Sequence, residues 1–341
     1  MPRIINFNEL QVCDIVLTTS SAPQSKAIRF GINSDISHAM ICVSHTSVID
    51  STSEGVQARN VQKIFYDDSC SVYIMRSKKV LSDDEKTKIT DYVRSVIGTP
   101  YSLKEAFQSW IKPNSNSSDL QFCSRLAARA YANIGIDISE NPDFCTPAQI
   151  KKSPHFMEVP NSFVTITVKE KKNIESHGTT LDDMRTITNN LLKMAKDASP
   201  ESKINDLNDI TAALLKNPAL DEKFANAYIS SGYTYHWESE VRKYPWRYDI
   251  DKMYEFYMQN EEILPSLIAY CKQTLDDESK GVFKHWKFNY SESQKKSKVT
   301  NLKTFWLEEQ LYKNLVFYHQ MRVSTADIFL KNYQYLINHR V

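Results

Sequence analysis

The chain has 341 residues, 41% of them apolar and 24% charged, which is the composition of a globular protein long enough to build two cores. With 42 basic and 41 acidic residues the net charge is +1, and each half is close to neutral on its own, so no global field draws the protein to nucleic acid or to an anionic membrane. The six cysteines (Cys13, Cys42, Cys70, Cys123, Cys145, Cys271) form neither CxxC pairs nor a dense framework, which argues against a zinc ribbon or a disulfide scaffold and predicts reduced thiols.

Short strands are expected first, at 14–18, 38–43, 47–50 and 71–75, with Ser44-His45-Thr46 as the turn of an antiparallel hairpin. Ser25 to Phe30 reads as one short helix between them. A longer helix is expected over 82–97, opened by Ser82-Asp83-Asp84-Glu85, with Ile89, Tyr92, Val93 and Val96 as its buried stripe and Gly98-Thr99-Pro100 as its stop. Lys112 to Ser118 is turn chemistry, and a second helix begins near Cys123. Gly135 caps it, and Asn141-Pro142 and Thr146-Pro147 mark an ordered loop. A strand at 163–168 closes the first domain, placed at 1–170. The charged run Lys169 to Asn173 changes the composition, and residues 171–341 read as a helical domain, with helices near 180–198, 204–216, 220–231, 249–271 and 300–338 and a break at the Lys/Ser-rich 291–298. No run approaches the ~20 apolar residues of a membrane span. The start, Met1 to Leu10, lacks the apolar core of a secretory signal, so a cytoplasmic location is expected, with leaderless export as the alternative.

The chemically loaded stretch is Leu120-Gln121-Phe122-Cys123-Ser124-Arg125-Leu126-Ala127. Cys123 falls in the first turn of an apolar-periodic helix, where unpaired N–H groups and the positive end of the dipole favour a thiolate. A thiolate needs a base beside it. Of the eight histidines His38 is placed like one, because it begins a strand and its ring would stand at a rigid sheet edge. Asp50, on the neighbouring strand of the hairpin, is placed to accept from the imidazole, and Glu54 is the alternative orienter.

These residues, with Cys13-Asp14-Ile15-Val16-Leu17, the helix around Ile28, Ser37-His38-Ala39-Met40-Ile41, Val48-Ile49-Asp50, Gly98-Thr99-Pro100-Tyr101, Phe122-Cys123-Ser124-Arg125-Leu126 and Thr146-Pro147, together resemble the circularly permuted branch of the NlpC/P60 cysteine hydrolases (papain-like, YiiX/LRAT type) over about residues 10–160. In that branch the histidine strand precedes the cysteine helix. The resemblance implies an α+β, papain-like domain whose antiparallel sheet packs on the cysteine helix, followed here by an all-α domain. It assigns Cys123 as nucleophile, His38 as base, Asp50 as orienter where relatives more often have Glu, and Tyr101 as an aid to the oxyanion. Two positions depart from the pattern: Cys13 stands where relatives usually carry Gly, and Phe122 precedes the cysteine where ordinary NlpC/P60 peptidases have Asp.

The expected activity is therefore a cysteine peptidase or amidase working through an acyl-enzyme, with no cofactor and no metal. Its substrate would be a peptide, a peptidoglycan fragment or an acyl lipid, since relatives of the permuted branch include lipid acyltransferases. Mature cell wall is an awkward substrate unless the protein is delivered as an effector. Nucleic acid and an integral membrane segment are not expected, and the helical domain is open to a protein partner or a lid role. The competing reading is a non-enzymatic papain-like scaffold with Cys123 as a redox sensor or silent. The aromatic cluster from Tyr233 to Tyr248 is read as core packing or a domain interface rather than as a stacking surface. Cys145 is read as a structural loop residue, with a second thiol near the site as the alternative.

Overall fold

The computed structural model describes residues 1–19, 35–101, 121–176, 180–259 and 261–338. The helix expected at 25–30 and the turn segment at 112–118 lie outside the described residues. The chain divides into two compact units, one of residues 1–192 with 203–211 and one of 193–202 with 212–341.

The first unit is built on a six-stranded antiparallel sheet. Its strands are β2 (Ile15–Thr18), β3 (His38–Ser44), β4 (Ser47–Thr52), β5 (Gly55–Asn60), β6 (Val72–Ser77) and β7 (Phe156–Val159), in the spatial order β5-β4-β3-β2-β6-β7. A separate pair joins β1 (Arg3–Ile5) to β8 (Phe163–Thr165). The hairpin of β3 and β4 is as expected. The expected strand at 163–168 is shorter: Val168–Ser176 is helical, and the charged run 169–173 lies within that helix.

Both faces of the sheet are buried, which is why β2 reads as a continuous apolar run rather than an alternating one. One face presents Ile15, Leu17, Ala39, Ile41, Ile49 and Met75 to helices α1 (Asp83–Ser95) and α2 (Cys123–Ala132), which bring Ile89, Val93, Leu126, Ala127, Ala130 and Tyr131. The other face packs Val16, Met40, Cys42, Val48 and Ile74 on Ile5, Leu10, Val61 and Tyr66. The capping box read at Ser82 is present, with Ser82 and Glu85 each accepting the other's backbone N–H. Cys13 has φ +76°, the left-handed region that favours glycine. It is tied down there by its N–H to the Cys42 carbonyl at 2.8 Å and by the Tyr131 hydroxyl, which donates to its carbonyl at 2.6 Å.

After the helix Val168–Ser176 the chain enters a helix at Thr180–Ala198, whose Asn189 accepts from Gln57 of β5 at 2.9 Å. The second unit is helical. The single helix expected over 249–271 is two, Ile250–Gln259 and Leu264–Ser279, the latter opened by a proline in its first turn. The Lys/Ser-rich stretch at 291–298, expected as a break, lies inside the helix Lys284–Thr300, because lysine and glutamine favour a helix even where no apolar stripe marks it. The last helix, Lys303–Asn338, is 36 residues long. Trp246, Tyr254, Tyr257 and Phe329 pack around Met253, Leu267 and Cys271, and Trp246 stacks on Phe256 with centroids 4.9 Å apart, so Trp246 of the aromatic cluster serves as core. Among the described residues no helix is long and apolar enough to cross a membrane.

Two substitutions test this packing. Leu126→Ala empties a fully packed site between α2 and the sheet and is expected to cost ~2–5 kcal/mol in urea unfolding, whereas Leu215→Ala, at a side chain 56% exposed, shifts the midpoint by less than ~0.5 kcal/mol. Cys13→Gly removes a buried thiol but relieves a left-handed backbone worth about 1–2 kcal/mol, so its stability is expected to stay within about 1 kcal/mol of the parent.

Candidate active site

Helix α2 places Cys123 at its first position, preceded by Phe122 in an extended conformation at the N-cap. Phe122 offers no side-chain acceptor, so the first N–H groups of the helix are not consumed by a cap residue. The helix start is held from three sides. The Ser124 hydroxyl donates to the Cys145 carbonyl at 2.7 Å, the Arg125 guanidinium stacks 4.5 Å from the Phe122 ring, and Arg125 Nε donates to the Asp143 carbonyl. Cys145 is thus a structural partner of the helix start through its backbone, with its side chain fully buried.

Tyr101 reaches the same place by a backbone route. Gly98 and Thr99 pair with Val56 of β5, the Val56 N–H donating to the Thr99 carbonyl at 3.0 Å and the Gly98 N–H to the Val56 carbonyl at 2.9 Å. That approach needs Gly55, with φ +87°, since a Cβ there would lie 2.8 Å from the Thr99 carbonyl oxygen. Gln121 N–H then bonds the Pro100 carbonyl, and Tyr101 bridges Gln121, two residues before Cys123.

The hairpin supplies the other half. Asp50 lies opposite Met40 in the β3/β4 register, so His38 is its diagonal neighbour on the same face. His38 Nε2 is 2.8 Å from Asp50 Oδ2. Cys123 hydrogen-bonds the same ring, and with Nε2 committed to Asp50 the nitrogen facing the thiol is Nδ1. Cys123, His38, Asp50 and Tyr101 therefore come together. Glu54 does not join them: its carboxylate is half exposed and pairs with Arg59 at 3.1 Å and Arg185 at 3.5 Å.

Burial alone would lower the imidazole pKa. The charge of Cys123 and the hydrogen bonds to Asp50 and Cys123 outweigh it and raise His38 to about 10. Burial likewise opposes ionisation of Asp50, yet the hydrogen bond from His38 and the charges of His38 and Arg59 hold its carboxyl below the ordinary range. Burial, reinforced by Cys123, raises Tyr101 and keeps it a phenol able to donate. By contrast burial pushes Cys13, Cys145 and Cys271 up to about 12, which makes them poor nucleophiles.

Arg59 is the residue that sequence reasoning missed. Its Nε donates to Asp50 Oδ1 at 2.7 Å, so each oxygen of the carboxylate has its own cationic partner. The signal was the alternation of Gly55-Val56-Gln57-Ala58-Arg59-Asn60, which makes a third strand of the hairpin and sets Gln57 and Arg59 on the Asp50 face. An open cavity of ≈ 510 Å³ adjoins this site, lined by His38, Asp50 and Arg59 together with Thr18, Lys63 and Tyr66 among others. Among the described residues no group of three or more His, Cys, Asp or Glu side chains is placed to hold a metal ion.

A helix-borne thiol against an imidazole on an antiparallel sheet, with a carboxylate behind it, is the arrangement of the papain-like cysteine hydrolases. Residues 9–159 match the family of permuted papain-like amidases of the YaeF/YiiX type, C92, which supports a permuted papain-like fold for this part of the chain. Five solved chains are similar to it; one is the yiiX protein of Escherichia coli O157:H7, described as a metalloprotein, at 18% identity over 44% of this chain and 97% of its own, with a TM-score of 0.37. No curated protein matches the sequence.

The imidazole provides a direct check. In NMR titration the His38 ring is expected to keep its proton through neutral pH and to lose it near 10, with the midpoint falling toward 6.5 in Cys123→Ala and in Asp50→Asn. Because the folded value is raised, the stability this ionisation contributes is complete below about 6.5 and fades as pH climbs toward 10. A wild-type midpoint at or below 6.5 contradicts the geometry.

Proposed function

We propose that the protein is a cysteine amidase that cleaves a peptide-type amide through an acyl-enzyme on Cys123. The observation that carries this reading is the continuous hydrogen-bonded line from Cys123 through His38 to Asp50. In the ion-paired state the thiolate attacks the carbonyl carbon, and the resulting oxyanion accepts from the Cys123 backbone N–H and the Tyr101 phenol. As the C–N bond breaks, Nδ1–H of His38 protonates the leaving amine, which departs with its electron pair. The thioester is then attacked by water whose proton passes to Nδ1, and Cys123 leaves as thiolate. Asp50 accepts from Nε2–H throughout and holds the ring in register. An amine or alcohol in place of water would make the same intermediate a transferase.

The match of residues 9–159 to a family of amidases supports an amide substrate over a long acyl chain. The helical unit, residues 193–202 with 212–341, is available for a partner or for substrate selection.

Iodoacetamide mapping by mass spectrometry tests the nucleophile without a known substrate. Cys123 is expected to alkylate at pH 6 ahead of the other five cysteines, and His38→Ala to remove that advantage; equal labelling of several cysteines supports the non-enzymatic scaffold. On a panel of N-acyl peptide amides and p-nitrophenyl acyl esters, Cys123→Ala is expected to lower turnover by about 10³–10⁴-fold. Esters that outpace amides increasingly with chain length would move the assignment to acyl lipids.

A further inference from the structure

We propose that Arg59 is a positioning residue of the active site, the group that turns the Asp50 carboxylate toward His38 and keeps it there. This inference rests on the catalytic reading above. Asp50 is 2% exposed, and a carboxylate taken out of water needs both oxygens satisfied. His38 satisfies Oδ2; without a second donor Oδ1 would be stranded, and the carboxyl would rotate or take up a proton. Arg59 Nε fills that position at 2.7 Å.

The guanidinium is itself fixed at its other end. One terminal nitrogen, Nη2, donates to Thr52 Oγ1 at 2.9 Å and to Glu54 Oε2 at 3.1 Å. Glu54 meets Arg185 of the Thr180–Ala198 helix at 3.5 Å. Charges therefore alternate in sign along His38, Asp50, Arg59, Glu54 and Arg185, each held by its neighbours. Lysine could supply the charge at position 59 but not three directed bonds from one planar group. Glu54, read from the sequence as a substitute orienter, acts in this arrangement one step further out, on the arginine instead of the imidazole.

The charged and titratable groups facing Asp50 are His38 from β3 with Cys123 behind it from α2, Arg59 from β5, and Tyr66 across the cavity wall, with Glu54 and Arg185 beyond Arg59. Of these, His38 and Arg59 favour the ionised carboxyl. Removing Arg59 leaves burial less opposed, so Asp50 is expected to protonate at higher pH. His38 then loses its acceptor, and the thiolate its partner, over a pH range where the parent protein is still active.

The test is the pH profile of Cys123 alkylation by iodoacetamide in the full chain, comparing wild type, His38→Ala, Arg59→Met and Arg59→Lys, with melting curves for each. The expected result is an acid limb displaced to higher pH in Arg59→Met, with at least a tenfold lower rate at pH 5.5, and only partial recovery in Arg59→Lys, whose ammonium restores the charge beside Asp50 but not the bonds that fix the group. Where Arg59→Met does not fold, Arg59→Gln takes its place with the same expected displacement. A folded Arg59→Met or Arg59→Gln whose profile superimposes on wild type overturns the inference. A uniform loss at all pH values, with no displacement of the limb, also overturns it and marks Arg59 as structural only. The catalytic reading fails separately, when wild type and His38→Ala show the same profile.

Discussion

A carboxylate buried inside a protein has to be matched on both oxygens, and Asp50 is the place where this chain meets that constraint. One oxygen takes the imidazole at 2.8 Å and the other the guanidinium at 2.7 Å. Three adjacent strands of the sheet each contribute one member, so the register of β3, β4 and β5 is the same thing as the geometry of the site. A one-residue slip in either pairing would send a member to the opposite face. The packing of α2 on the far face then settles where the thiol stands, at the end of the strands next to the ring.

The parts of this that could be read from the sequence are those with short-range signals. The hairpin from His38 to Asp50 is announced by apolar strands around a polar turn, and the cysteine helix by its spacing and by the turn-rich stretch before it. The diagonal relation of His38 and Asp50 follows from hairpin register once the turn is assigned. Arg59 was overlooked for a physical reason: the alternation of 55–60 places it on the Asp50 face, but a charged residue on a short strand after a glycine reads as a solvated edge until the burial of Asp50 shows what it answers. Strands β1 and β7 were missed because each is three or four residues long and depends on a distant partner, β8 and β6 respectively. In the helical unit, Lys284–Thr300 was missed because its amphipathic stripe is weak and its composition is that of a linker.

Cys13 shows the same limit from the other side. It stands where the family resemblance expects glycine, and its backbone at φ +76° lies in the left-handed region that favours glycine. Its carbonyl receives the Tyr131 hydroxyl, so the strained turn and the cysteine helix are joined at one atom. The residue is remote from the chemistry but bears on where α2 lies.

The permuted chain order has a consequence for the protein during its synthesis. The imidazole and its carboxylate are twelve positions apart and belong to one hairpin, a contact of low order that closes early on a growing chain. The thiol emerges much later, and it meets the imidazole only when α2 docks on strands β2 to β6, which precede it in the chain. A nascent chain therefore carries an oriented imidazole before the Cys123 thiol can reach it, and on the catalytic reading proposed above the thiol gains its partner only at that docking step. Chains that begin with the cysteine helix must expose their thiol to the cell for the whole time the base is still being made; this arrangement shortens that interval to the docking step itself.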